Sequence, residues 1–266
     1  MLKPKAEKLV GRIVTYVNAS GVWCMPTFVY DNAQEAADRL IASSDRYKKI
    51  QGYLLQGLTY FANGEHPYAI NSFEKLFEFD LNPEIMGLYI STVVSQGDIE
   101  KADYFYNKYK SSLDKTTFFL EVILLNRVAL DLNKSNGHIQ EYIDKGVSEE
   151  YIELMKSNHK LIEEDLTNIR NANLEKALVQ EVLAIATQVM TKVGNFNATF
   201  RSFIDKPNDD LHINMYASDI DFETMDKLNE SWLEAMVEHE SEYDFADLSR
   251  VLVNFRPEDQ GLLNDI

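Results

Sequence analysis

At 266 residues the chain has room for one large or two small domains. Its 45% hydrophobic content is ordinary for a globular protein, and no apolar run approaches the ~20 residues needed to span a bilayer. The net charge of −17 is concentrated at one end, where Asp205 to Ile266 hold 17 acids against Lys206, Lys227, Arg250 and Arg256, a net −13. Such an end disfavours direct binding to nucleic-acid phosphates or anionic lipid.

Taken in order, residues 3–19 read as an amphipathic helix, with Leu9, Ile13 and Val17 on the buried face beside Val10 and Val14. Met1 to Val14 lacks a continuous apolar core and a small-residue cleavage site, so no signal peptide is expected. Cys24 is the single cysteine. No internal disulfide can form, and a cytoplasmic setting is expected. Val22 to Tyr30 is apolar and aromatic, broken by Pro26. It is expected to shield the end of a helical stack, with Trp23 and Phe28 in the core.

A repeat follows. Ala36, Ala69 and Ala102 stand at equal spacings of 33, and Leu40, Phe73 and Tyr106 follow in the same register, as do Ser43, Leu76 and Tyr109. Gly64 and Gly97 share one position between apolar and polar-started stretches. Tyr53, Gly57, Tyr60, Ala69, Phe73 and Pro83 complete the first unit. Small residues let two helices approach, large ones fill the space to the next hairpin, and Gly permits the tight turn. Pro83 suits the first turn of a helix. The second unit, Pro83 to Leu113, has Ile90 in place of Gly57 and Val93 in place of Tyr60. Upstream, only the second helix of a unit is legible, Asn32 to Ser44.

On these residues, segment 30–113 resembles the tetratricopeptide (TPR) repeat family, whose unit is about 34 residues. The resemblance implies that the first helix of each hairpin lines a concave surface that binds extended peptides or partner helices. By that alignment Gln51, Leu54, Leu58, Phe61 and Ala62 line the first unit, and Glu84, Gly87, Ser91, Val94 and Ser95 the second. One branch of the family clamps peptide carboxylates with basic and amide side chains. Leu54 and Leu58 occupy those positions here, so an apolar groove for an amphipathic segment fits better. The alternative is that these residues pack against the chain's own terminal parts.

Lys115 to Asn133 reads as a long helix, apolar on most sides through Phe118, Phe119, Val122, Ile123, Leu125, Val128, Ala129 and Leu132. Asn136-Gly137 reads as a turn, and His138 to Lys145 as a short helix. Ser148 then starts a helix with early acids. Ile152, Met155, His159, Ile162, Leu166 and Ile169 form a seam in steps of three and four. Past Asn171 and Asn173, a matching stripe runs through Leu174, Leu178, Val182, Ile185 and Val189. Residues 148–193 are therefore an antiparallel helical hairpin or one uninterrupted helix. His159 is expected to be a packing residue, not a metal ligand. Gly194 to Asp210 reads as a loop.

The tail changes period. Leu211, Ile213 and Met215 alternate with polar residues, as in a half-buried strand, and Val251, Val253 and Phe255 alternate again before Pro257. Between them Phe222, Met225, Leu228, Trp232 and Met236 keep helical spacing. The expected unit is strand–helix–strand, too small to stand alone. It should dock on the helical body or pair with a second copy. Asp226, Glu230, Glu234 and Glu238 stack on one face of its helix. Such like charges destabilise an isolated helix by about 0.2–0.5 kcal/mol per pair. The stripe is either a solvated face or a surface for a basic partner.

Phosphate-cradling glycines and zincin spacing are absent, and Asp219, Asp221 and Glu223 lack the Gly a calcium loop needs. No catalytic residue, metal or cofactor is expected. The expectation is a mainly α protein: a TPR-like stack over 1–146, a helical hairpin over 147–204, and an acidic strand–helix–strand unit over 205–266. Its expected role is an intracellular protein-interaction module binding a protein or peptide, without nucleic acid or membrane. The alternatives are an acidic mimic that inhibits a nucleic-acid-binding enzyme and a peptide-responsive regulator.

Overall fold

The computed structural model describes residues 26–111, 114, 116–192, 199–205, 210–217, 222–238 and 248–257. The expected helix at 3–19, Trp23 and Cys24 lie outside these. The described helices are α1 (Thr27–Ile41), α2 (Arg46–Ala62), α3 (His66–Phe77), α4 (Pro83–Ser95), α5 (Ile99–Tyr109), α6 (Phe119–Ala129), α7 (Leu132–Asp144), α8 (Glu149–Asn171), α9 (Lys176–Lys192) and α10 (Phe222–Glu238). The strands are β1 (Thr199–Asp205), β2 (Asp210–Ala217) and β3 (Val251–Pro257). The chain is mainly α, built of helical hairpins, with one small sheet at its C-terminal end. It forms two compact units, one up to Thr92 and joined by Lys192–Gly194, the other made of Val93–Thr191 and Asn195–Ile266. The boundary lies inside α4, within the segment assigned to the repeat domain.

In the first unit α2 packs on both α1 and α3, and glycine makes both approaches possible. A Cβ at Gly52 would lie 2.7 Å from Ile41 Cγ1 and 2.9 Å from the Ile41 backbone nitrogen. One at Gly57 would lie 2.4 Å from Cε1 of Phe73, a ring with no solvent exposure. Across the unit Tyr89 donates to Glu74 at 2.8 Å, and its ring meets Phe77 edge-on. Gln56 accepts from Ser72 at 3.1 Å, tying α2 to α3.

The hairpins end in one recurring turn. Gly64 has φ 74° and donates to Phe61 O at 3.0 Å, while Glu65 N–H reaches back to Tyr60 O at 2.9 Å. Gly97, with φ 80°, repeats this 33 residues on, donating to Val94 O at 2.9 Å while Asp98 N–H reaches Val93 O at 3.2 Å. Gly146 and Asn173 also have positive φ, and the same pair of bonds closes α7 and α8. Each turn satisfies carbonyls that a helix end would otherwise strand.

The repeat register holds between α3 and α5. Ala69 and Ala102 are fully buried, each four residues into its helix, with Phe73 and Tyr106 buried behind them. It slips in α1. There Ala33, Ala37 and Leu40 form the buried stripe and Ala36 is only half-buried. Phe28 is corrected too: it lies 78% exposed. Its position in the first turn of α1 is well around the helix from that stripe.

Three expectations in the second unit are overturned. The helix foreseen over 115–133 is shorter, since Leu130 adopts φ 47° and ends α6. Asp131 then accepts from the N–H groups of Asn133 and Lys134 and starts α7. That helix runs straight through Asn136-Gly137, a pair that reads as a turn in the sequence. Gly in a helix costs about 1 kcal/mol, and burial of Ile139 and Tyr142 on the same helix offsets it. The 194–210 segment, expected as loop, contains β1. Among the residues of that strand whose burial is described, Phe200 alone is buried and Phe203 is exposed, so no alternation betrays it.

β1 pairs antiparallel with β2, and β2 pairs parallel with β3, giving the order β1-β2-β3. The register puts Phe200, Met215 and Phe255 in one row and Ile213 and Val253 in the next. Leu211, Ile213, Met215, Val251, Val253 and Phe255 are all buried, so one face of the sheet is core. α10 covers it at β3, where Trp232 meets Phe255 edge-on with ring centroids 6.3 Å apart.

Candidate functional site

The residues expected to line a groove divide by burial. Leu58, Phe61, Val94 and Ser95 are buried, Gln51, Leu54 and Ser91 are half-buried, and Glu84 is exposed. Phe61 is spent on its own unit, its ring meeting His66 edge-on. Among the four buried residues no side chain is left for a partner without repacking. Gln51 takes part in a helix-surface bond with the hydroxyl of Tyr47 at 3.0 Å.

The second unit has a cleft of about 520 Å³ between the Gln96-Gly97 turn, the end of α6 and the face of α9. Its amides close helix ends. Gln180 donates to Ala129 O at 2.6 Å and Gln188 to Gln96 O at 3.2 Å. Lys134, on its wall, is paired with Asp103 at 3.2 Å. Charges of both signs and already bonded amides give this cleft no evident chemistry.

A polar cluster joins α5, α6 and α7. His138 Nδ1 lies 2.8 Å from Asn126 Oδ1, and Tyr106 stands edge-on to its ring. Tyr106 donates to Glu141 at 3.0 Å, and Glu141 also accepts from Lys110 and Lys145. Burial drives the His138 pKa down to about 4, against the pull of Glu141 and Asp103. Burial opposes charge on Glu141 as well, but its two lysine partners outweigh it and hold the carboxyl below its ordinary value. The cluster is enclosed and aromatic, a packing device and not an open site.

The third arrangement, joining α6, α8 and β1, is one that no sequence expectation covers. Arg127 on α6 forms an ion pair with Asp165 on α8, with their side chains 8% and 5% exposed. Arg127 also donates to Phe200 O at 2.5 Å and lies over the Phe200 ring, 4.1 Å from its centroid. Asp165 accepts from the Ser202 hydroxyl at 2.6 Å and from its N–H at 3.3 Å. Asn168 donates to Ser202 O at 2.9 Å. Burial works against both charges, raising the Asp165 pKa and lowering that of Arg127, while their mutual attraction opposes it. Three side chains thus meet β1 where a neighbouring strand would lie, and they dock the sheet on the helical body. Arg250 adds a second tie, donating to Ala172 O at 2.5 Å. Positions 127, 165 and 202 have no common period, so no sequence pattern marks them.

This docking leaves α10 facing outward. Asp226, Glu230 and Glu234 are exposed on it. Glu238 is its last residue, and its side chain lies outside the described set. Leu233 and Val237 are 65% and 69% exposed beside these acids. The expected acidic face therefore also carries apolar surface. Lys227 offsets one acid through Glu223 at 2.8 Å.

Among the described residues no group of three or more His, Cys, Asp or Glu side chains could hold a metal, and no helix is long and apolar enough to cross a membrane. No family model matches the chain, and neither a curated protein nor a solved structure matches it.

Proposed function

We propose that this chain is an intracellular protein-interaction module of TPR-like build, acting in the cytoplasm as an adaptor, assembly chaperone or regulator. The observation that carries the reading is α10, an outward helix on a docked sheet where Asp226, Glu230 and Glu234 flank exposed Leu233 and Val237. A helix that exposes apolar side chains among like charges suits a partner that is both apolar and basic. The helical hairpins serve as the frame. The groove contribution rests on Leu54, Gln51, Ser91 and Glu84, the four expected residues that retain exposure.

The test is quantitative affinity purification of the full chain from its native cells. The triple variant Asp226→Asn, Glu230→Gln, Glu234→Gln should lose the principal partner by about fivefold or more, with a weaker dependence on salt. Leu54→Asp should weaken a groove-bound partner without the salt effect. Leu58 and Phe61 are unsuitable positions, because a charge at either would unfold the unit. Retention of every partner by both variants refutes the module. Loss of a partner that nucleic acid also displaces would favour the mimic reading.

A further inference from the structure

Along α10 one row of side chains keeps a single register. Glu223, Asp226, Glu230, Leu233 and Val237 follow one another in steps of three and four, the spacing of a helix–helix seam. At about 1.5 Å per residue the row is roughly 21 Å long. Helical spacing puts it on the far side of α10 from Leu228 and Trp232, which are both buried. Trp232 holds the helix on Phe255 of the sheet. In the outward row the acids are exposed, and so are Leu233 and Val237 at 65% and 69%.

The acids alone would name no partner. Direction comes from Leu233 and Val237, one turn apart, which carry the acidic row on in the same register as an apolar one. The row is thus divided, charged in its N-terminal half and apolar in its C-terminal half. Lys227, the cation on this helix, is taken by Glu223 at 2.8 Å. Because α10 is already helical and anchored through Trp232, the ordering cost of a seam falls on the partner alone.

We infer that the outward row of α10 is a docking seam for an amphipathic helix of a partner protein, which runs antiparallel to it with apolar side chains in its first half and lysine or arginine in its second. The apolar half covers Leu233 and Val237, and the cations reach Asp226 and Glu230. This direction puts the cations near the partner helix's own C-terminus, where the helix dipole favours them. An extended segment fits worse, since its side chains alternate with a period of two and fall out of step with a row of threes and fours. A second copy of α10 is the wrong occupant in either direction. Parallel, it sets acid against acid. Antiparallel, it buries carboxylates against Leu233 and Val237 with no cation to answer them. The inference rests on the interaction-module reading and adds the partner's secondary structure and register.

The test uses the full chain and a fluorescein-labelled three-heptad peptide, with leucine at the seam positions of its first half and lysine at those of its second. The control peptide has the same residues in an order that breaks the heptad spacing, so its charge and composition are unchanged. Binding is read by anisotropy and peptide helicity by circular dichroism. The heptad peptide should bind roughly tenfold or more tighter than the control and gain helix as it binds. Leu233→Ser with Val237→Ser should weaken it by about tenfold and leave the melting temperature unchanged, since both side chains are exposed. Asp226→Asn with Glu230→Gln should flatten its salt dependence. Equal binding of the two peptides, or binding without a gain of helix, overturns the helical partner and leaves the interaction-module reading standing. Binding of neither peptide overturns the inference, and that reading then stands or falls on whether the affinity-purified partner depends on Asp226, Glu230 and Glu234. Binding that neither double variant alters lies elsewhere on the chain and overturns the seam. Self-association that the Leu233→Ser, Val237→Ser variant abolishes makes a second copy the occupant and also overturns it.

Discussion

Replacing Arg127 by methionine keeps most of the side-chain volume and removes the charge. Asp165 would remain 5% exposed, with Ser202 as its remaining bonded partner. Phe200 O would lose its donor, and the Phe200 ring its cation. Breaking a buried ion pair from one side destabilises by about 3–5 kcal/mol, because the surviving charge stays desolvated. At 1.4 kcal/mol per factor of ten, the sheet should open at least about a hundredfold more often. Hydrogen exchange of 199–217, read by mass spectrometry, should accelerate by that factor, while segment 46–77 in the other unit should not change. Asp165→Leu combined with Arg127→Met should recover most of the stability, since matched apolar replacement of a buried pair is often neutral. If Arg127→Met leaves exchange across β1 and β2 unchanged, the docking argument is wrong.

Three further outcomes follow from the same geometry. His138 titrates near 4 in the folded chain and near 6.5 unfolded, so the unfolded state binds more protons between those values. Stability of the second unit should fall by about 3 kcal/mol as pH drops through that window, and His138→Gln should flatten the dependence in urea titrations at pH 4 to 7. Gly57→Ala should destabilise the first unit by about 1–3 kcal/mol through overlap with Phe73. Gly64→Ala meets no atom within 4 Å, so only its left-handed backbone is strained, and a melt should show a loss of roughly 1–2 kcal/mol.

What the chain declares openly is local. The 33-residue step between Gly64 and Gly97 predicts two turns whose bonds match one for one, and Pro83 does begin α4. Alternation at Leu211 to Met215 and at Val251 to Phe255 reveals β2 and β3. The hidden parts depend on contacts between distant positions. β1 forms because Arg127, Asp165 and Asn168 bind its edge, not because its own residues alternate. Asn136-Gly137 looks like a turn, yet the Asp131 cap has already committed that stretch to helix. Leu58 and Phe61 show why a groove is hard to place from pattern alone. Apolar side chains at one helical spacing fit a partner or the chain's own core equally well, and burial decided for the core.

The sealed edge of β1 also bears on the order in which the protein assembles. Its three seals come from helices made during synthesis well before β1, Arg127 preceding Phe200 by 73 residues. The hairpins can close through neighbouring contacts as they leave the ribosome, whereas the terminal sheet has no berth until α6 and α8 are already side by side. A nascent chain stalled before Thr199 would hold a finished helical frame with a buried arginine and aspartate still awaiting their last neighbours, a window in which chaperones have the most to hold.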